Sequence, residues 1–287
     1  MVRARTRLSW LVMLIPFLVW LAVFAYAPLV GLIASFEEFS WRTPFFGAWV
    51  GFRNFRFLLA DLFFRNAAMN TVFFAVVKSF LIVSVPALLA FGFRTSSRRV
   101  SYGYSALAMI SYFSSWVVVS VAVRFLVSPQ TWGISVGGTS FLNDPGSARW
   151  LFTLTDVLKA FGWVFFVYLL TIRSLDPDYW ELAEMEGAST FQVLRYVALP
   201  LLAPVVAVMA VLTVTSVVDS STDQALNLSN PGIYSSTDVI GSYAYRTAIR
   251  AGQIGRAAAA SLVETVIRYA VVLLVFFAGF RYFRGTR

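Results

Sequence analysis

The stretch Glu181-Leu182-Ala183-Glu184-Met185-Glu186-Gly187-Ala188, followed by Val197-Ala198-Leu199-Pro200, is a polar island between two long apolar runs, 151–172 and 196–218. Asp176-Pro177-Asp178, just before it, reads as a helix start. Proline supplies a fixed φ for the first turn, and carboxylates favour the positive end of the helix dipole. Residues 179–185 then have room for about two turns. Gly187 follows, allowing a sharp turn where a Cβ would clash. Phe191, Leu194, Val197 and Leu201 recur at helical spacing, which predicts a second short helix packed under the apolar runs. Pro200 marks the restart into the next run.

Those runs are part of a chain-wide pattern. Of 287 residues, 59% are hydrophobic and only 13% are charged, more apolar surface than a soluble domain of this size can bury. A bilayer needs such segments, because a spanning helix takes about 20 apolar residues and must satisfy its own backbone hydrogen bonds. The runs 10–36, 100–123 and 196–218 carry no charge. Three others carry internal charges: 67–93 with Lys78, 151–172 with Asp156 and Lys159, and 257–280 with Glu264 and Arg268. The expectation is an all-α integral membrane protein, a single domain over 1–287. Its six spans fall near 10–36, 67–93, 100–127, 150–172, 198–219 and 257–281, with the polar island in a loop over 173–199. Run 10–36 follows Arg3, Arg5 and Arg7. It is too long for a cleaved signal and reads as a retained first span.

Arginine placement sets the orientation. Arg3/Arg5/Arg7, the tight turn with Arg94, Arg98 and Arg99, and the tail with Arg281, Arg284 and Arg287 fall on one side. By the positive-inside rule that side is cytoplasmic, with both termini and the 173–199 loop. Against this, the first outer loop carries Arg42, Arg53, Arg56 and Arg65, only partly offset by Glu37, Glu38 and Asp61. The segments 128–149, with Gly137-Gly138 and Asp144-Pro145-Gly146, and 219–256, with Asn230-Pro231-Gly232, read as turn-rich outer loops.

Composition also excludes chemistry. The chain has no cysteine and no histidine, so a thiol nucleophile, a His/Cys metal site and a histidine proton relay are all ruled out. The only lysines, Lys78 and Lys159, follow Val77 and Leu158 and complete no phosphate-cradling loop. The chain is therefore not expected to be an enzyme. In so apolar a chain, the net charge of +9 points to lipid headgroups or an anionic solute rather than to nucleic acid.

The polar island resembles the EAA loop of ABC importer permeases, E-A-A-x-x-x-G-x(9)-I-x-L-P. Glu181, Ala183, Gly187, Leu199 and Pro200 match, while Leu182 and Val197 are mild departures. Asn70-Thr71, Lys78, 86–90, 111–120 and 238–246 are similar to the polysaccharide-type branch of that family. The resemblance implies a type I importer of the bacterial inner membrane that translocates an oligosaccharide, with uronate-containing ones such as alginate fragments among the candidates. Its implied partners are a second, non-identical permease, two ATPase subunits that hold ATP and Mg, an extracytoplasmic solute-binding protein and the bilayer. No cofactor is expected in this chain. Glu181, Ala183, Glu184, Glu186, Gly187, Ala188, Leu199 and Pro200 become the candidate ATPase-coupling residues, with Glu181 facing an ATPase arginine and Gly187 as hinge.

Ionisable groups within spans face a cavity or a partner. Lys78, Arg124, Asp156, Lys159, Glu264 and Arg268 are candidates for an outward vestibule of excess positive charge. Lys78 stands out because it has no carboxylate nearby in sequence. The competing reading is local pairing, Asp156 with Lys159 and Glu264 with Arg268. Trp116, Tyr112, Trp163 and Tyr243 are candidate sugar-stacking aromatics or, equally, packing and interfacial residues. An ion-coupled secondary transporter and a non-transporting scaffold are the alternatives. The former needs an acid–base relay and repeated halves that the sequence does not display.

Overall fold

A computed structural model describes residues 13–39, 47–128 and 140–285. The Arg3/Arg5/Arg7 cluster, Arg42, Gly137-Gly138 and Arg287 lie outside these. Among the described residues, five helices are long and apolar enough to cross a membrane: α1 (Met13–Phe36), α3 (Leu62–Thr95), α6 (Pro145–Ser174), α8 (Thr190–Leu228) and α11 (Ile254–Gly285, apolar over Ile254–Phe277). A sixth candidate is broken. Residues 100–127 were expected to form one span, but they form α4 (Arg98–Phe113) and α5 (Trp116–Leu126), bent by 100°.

The break is written in two serines. Ser114 and Ser115 both have extended backbone, ψ 139° and 153°. The Ser114 hydroxyl donates to the Ile110 carbonyl at 2.8 Å, satisfying an acceptor that the ending helix would orphan. Ser115 caps the next helix by accepting from the Val118 amide. Other boundaries also move. Asp144-Pro145-Gly146 is not a loop turn but the start of α6, with Asp144 as N-cap accepting from the Ser147 amide at 2.8 Å. That donated hydrogen bond holds the Asp144 carboxyl below its usual range. The expected loop over 219–256 is largely helical. α8 continues to Leu228, and α9 (Tyr234–Thr237) and α10 (Ile240–Ile249) follow. Asp219 and Asp223, one turn apart, are exposed, while Val217, Val218, Ser221, Gln224, Ala225 and Leu228 are buried.

The chain packs as two compact units, Met1–Arg65 with Tyr243–Glu264 and Asn66–Ser242 with Thr265–Arg287. The first unit contains a small antiparallel pair, β1 (Glu37–Glu38) with β2 (Ala48–Trp49), and the short helix α2 (Arg53–Ala60). Asn54 ties the strand to α1 by donating to the carbonyls of Ser35 and Glu37 at 2.9 and 3.0 Å. Tyr243 donates to Asp61 at 2.6 Å and packs edge-on against Phe64. Burial, and then that carboxylate, push its phenol well above the usual range.

Among the described residues, the second unit holds two apolar clusters. One gathers Ile82, Phe91, Phe165, Tyr168, Leu169, Ile172, Val193 and Leu202. The other gathers Phe74, Leu142, Phe152, Leu228, Ile233 and Val239. Lipid competes equally well for apolar side chains, so helix association rests on close packing. Gly162 shows how close: a Cβ there would sit 2.2 Å from the Ala108 carbonyl oxygen of α4.

Candidate functional site

Two features of the second unit share the helices α6 and α8: the polar island between them and a cavity beside them.

The island folds as α7 (Asp178–Met185), entered through Pro177 at φ −55° with Asp178 and Glu181 in its first turn. Its exit is a Schellman cap. The Gly187 amide donates to the Glu184 carbonyl and the Ala188 amide to the Ala183 carbonyl, both at 3.0 Å, with Gly187 at φ +72°. No neighbouring atom lies within 4 Å of a Cβ built at Gly187. Backbone conformation therefore demands glycine there, not crowding. A capping box at Ser189 and Gln192 starts the next helix at once, with the Ser189 amide donating to Gln192 Oε1 at 2.7 Å. The expected hinge is thus a hydrogen-bonded knuckle.

Its inner side is small and apolar. Ala183 and Ala188, with Trp180, Leu194 and Val197, pack against the cluster that contains Phe91, Ile172 and Leu202. Its outer side exposes Glu181, Glu184 and Glu186, together with Leu182 and Met185, the latter 80% exposed. Phe191 does not pack as its spacing predicted but is exposed. A π turn over Val193–Ala198 shifts the register, so Val193, Ala198 and Leu202 are fully buried and the predicted Leu194 and Val197 pack beside them, partly buried. That wider turn also precedes Leu199 and Pro200, where the proline ring would crowd the carbonyl four residues back in a regular α-helix.

The cavity, about 410 Å³, is lined by Tyr112, Trp116, Asp156, Lys159, Ser220 and Asp223, with Ile82, Phe113, Ala160, Ser216 and Val217. Behind it lies a buried polar knot. Lys78 is fully buried and donates to Asp156 at 2.9 Å, Ser221 at 2.9 Å and Gln224 at 2.7 Å, using all three ammonium protons. Its Nζ also stands 4.2 Å from the Phe74 ring centre. The other Asp156 oxygen accepts from Ser220 Oγ at 2.7 Å, and Ser220 in turn accepts from Trp116 Nε1 at 2.9 Å. A chain of hydrogen bonds thus runs from α3 through α6 and α8 to the first residue of α5.

Several sequence expectations change here. Lys78 has a carboxylate partner 78 positions away in sequence. Asp156 gives its oxygens to Lys78 and Ser220 rather than to Lys159, which donates to the Tyr112 carbonyl at 2.9 Å. Arg268 pairs with Asp219 at 2.6 Å, a carboxylate far from it in sequence. Arg124 donates to the carbonyls of Asn227 and Leu228 at 3.0 and 3.1 Å, capping the end of α8. Tyr243 and Glu264 belong to the first unit and line no part of this cavity. Tyr112 stacks on Trp163 at 5.9 Å, but only Tyr112 of that pair reaches the cavity. The expected excess of positive charge does not form. Sequence reasoning missed Ser216, Ser220 and Asp223, although their spacing of four and three residues along an apolar run signals a polar stripe on one helical face.

Comparison with known proteins agrees with this architecture. Residues 3–285 match the family described as binding-protein-dependent transport system inner membrane component, and the chain belongs to that family. It is accordingly a multi-pass membrane permease component of an ABC importer. Protein LplB of Bacillus subtilis is 26% identical over 96% of this chain and 89% of its own length. The polygalacturonan/rhamnogalacturonan transport system permease protein YteP of the same organism is 24% identical over 91% and 84%. A chain from the crystal structure of a bacterial ABC transporter involved in the import of the acidic polysaccharide alginate superposes with a TM-score of 0.83. It is 25% identical, with 98% of each chain covered. A second structure, of the bacterial alginate ABC transporter in complex with alginate pentasaccharide-bound periplasmic protein, gives a TM-score of 0.81 at 25% identity, covering 95% of this chain and 94% of that one. None of these relatives favours an ion-coupled transporter.

Proposed function

We propose that this chain moves an oligosaccharide across the bacterial inner membrane past the cavity of α5, α6 and α8, driven by a separate ATPase that presses on α7. The observation that carries this is continuity. α6 holds Asp156 and Lys159 and leads out to the knuckle; α8 returns from it and holds Ser216, Ser220 and Asp223. Lys159 is separated from Ser174 by 15 residues, roughly 22 Å of helix. A push on a rigid, hydrogen-bonded knuckle is therefore delivered to the cavity wall as a rigid-body shift.

The cavity suits a sugar in kind: aromatic faces from Tyr112 and Trp116, and hydroxyl, ammonium and carboxylate groups beside them. The polysaccharide-linked relatives support the same cargo class. The extracytoplasmic binding protein supplies the solute, a second permease completes the pathway, and ATP with Mg is held by the ATPase. The acidic outer side of α7 faces that ATPase, with Glu181 meeting a basic residue. The test is ATP-dependent uptake of labelled oligosaccharide by the assembled transporter in proteoliposomes. Uptake is expected with ATP and is lost in Glu181→Lys while the assembly's membrane subunits stay together. Equal uptake without nucleotide would sink the reading.

A further inference from the structure

Most charges on the helices of this unit that frame the cavity or run beside its helices already have partners. Lys78 and Asp156 neutralise each other at 2.9 Å, and Arg268 and Asp219 do so at 2.6 Å. Arg124 is occupied by two carbonyls at the end of α8. Two ionised groups remain on the cavity wall, the ammonium of Lys159 and the carboxylate of Asp223. Lys159 spends one proton on the Tyr112 carbonyl and keeps two for a ligand. Asp223 is exposed, and among the described residues its carboxylate has no ion-pair partner within 4.0 Å. The wall thus offers one strong donor and one strong acceptor beside the Trp116 and Tyr112 rings, each centred 5.8 Å from the Lys159 Nζ.

Resting on the oligosaccharide reading above, we propose that this wall admits uncharged, hydroxyl-rich sugar rings and rejects uronates, with Lys159 and Asp223 as the pair that sets the preference. A hydroxyl both donates and accepts, so neighbouring sugar hydroxyls satisfy the two residues together. A carboxylate satisfies Lys159 and is repelled by Asp223. Two like charges held against one wall repel, and that repulsion counts against the uronate alone. Selection against the wrong cargo therefore comes from the acid, and gripping of the right one from both.

The test uses the complete transporter in proteoliposomes and two matched pairs of probes. These are uronate trisaccharides from polygalacturonan and from alginate, each beside its carboxyl-reduced, neutral counterpart. Binding protein and partner permease are the same throughout, so a change in the neutral-to-acidic uptake ratio between variants reports this wall. The wild type is expected to favour the neutral member about tenfold. Asp223→Asn lowers that ratio by about the same factor by admitting the uronate, while Lys159→Gln reduces neutral uptake and leaves the uronate excluded. ATPase rate and size-exclusion profile establish that each variant assembles. A wild type that prefers uronates, or an Asp223→Asn ratio identical to wild type, overturns the proposal while leaving oligosaccharide transport intact. Uptake of neither member of either pair, with the ATPase turning over, removes the oligosaccharide reading and this proposal with it.

Discussion

Lys78 shows what a charge costs inside a membrane bundle. With every proton donated and Asp156 beside it, the ammonium is tolerable; remove it and Asp156 is left as a buried, half-satisfied anion. Lys78→Met is expected to destabilise the protein by about 3–5 kcal/mol. Adding Asp156→Asn should return a large part of that loss, because no uncompensated charge remains. Thermal unfolding of the three variants in detergent checks this, and equal midpoints for Lys78→Met and the double variant would refute it. Gly187 is constrained differently. Its positive φ costs a side-chain-bearing residue about 1–2 kcal/mol, paid locally in the Schellman cap. Gly187→Val is expected to loosen the knuckle without unfolding the bundle. The ATPase then cycles while uptake per ATP hydrolysed falls, and a normal uptake-to-hydrolysis ratio would deny the knuckle its transmitting role.

The elements carry their own demands. α4 and α6 approach so closely at Gly162 that a single methyl meets the Ala108 backbone. Gly162→Ala should therefore cost about 1–3 kcal/mol through overpacking. Gly103, on the same α4 with open space around it, is the contrasting site. Gly103→Ala should gain up to about 1 kcal/mol from helix propensity. Opposite shifts in the two unfolding midpoints are the expected result, and a stabilised Gly162→Ala would mean the helices can part. The α4–α5 break was legible in principle, since paired serines with cap geometry interrupt an otherwise apolar run, but hydropathy alone averages over them. The end of α8 was hidden for a related reason. Ser, Thr, Asp and Asn read as loop residues by composition, yet here Asp219 and Asp223 mark the exposed side of a helix, and the polar Ser221 and Gln224 are buried in bonds to Lys78. Only their spacing distinguishes the two cases.

For the whole molecule, the absence of cysteine makes orientation directly measurable. Glu184→Cys, on the exposed side of α7, is expected to react with an impermeant maleimide in inverted vesicles and not in intact cells. Labelling from outside would reverse the topology and detach the knuckle from any cytoplasmic ATPase. The sequence by itself determined the class of molecule. Apolar runs of spanning length, the absence of histidine and cysteine, and the Glu181–Pro200 motif depend on residue type and local spacing, which a one-dimensional string contains in full. Tertiary structure alone decided which charges meet. Lys78 and Asp156 stand 78 positions apart, Asp219 and Arg268 stand 49 apart, and the pairing of ions across helices depends on crossing and rotation, which local spacing does not encode. That is why a wall expected to be positive is balanced, and why the residues left to read the cargo are Lys159 and Asp223.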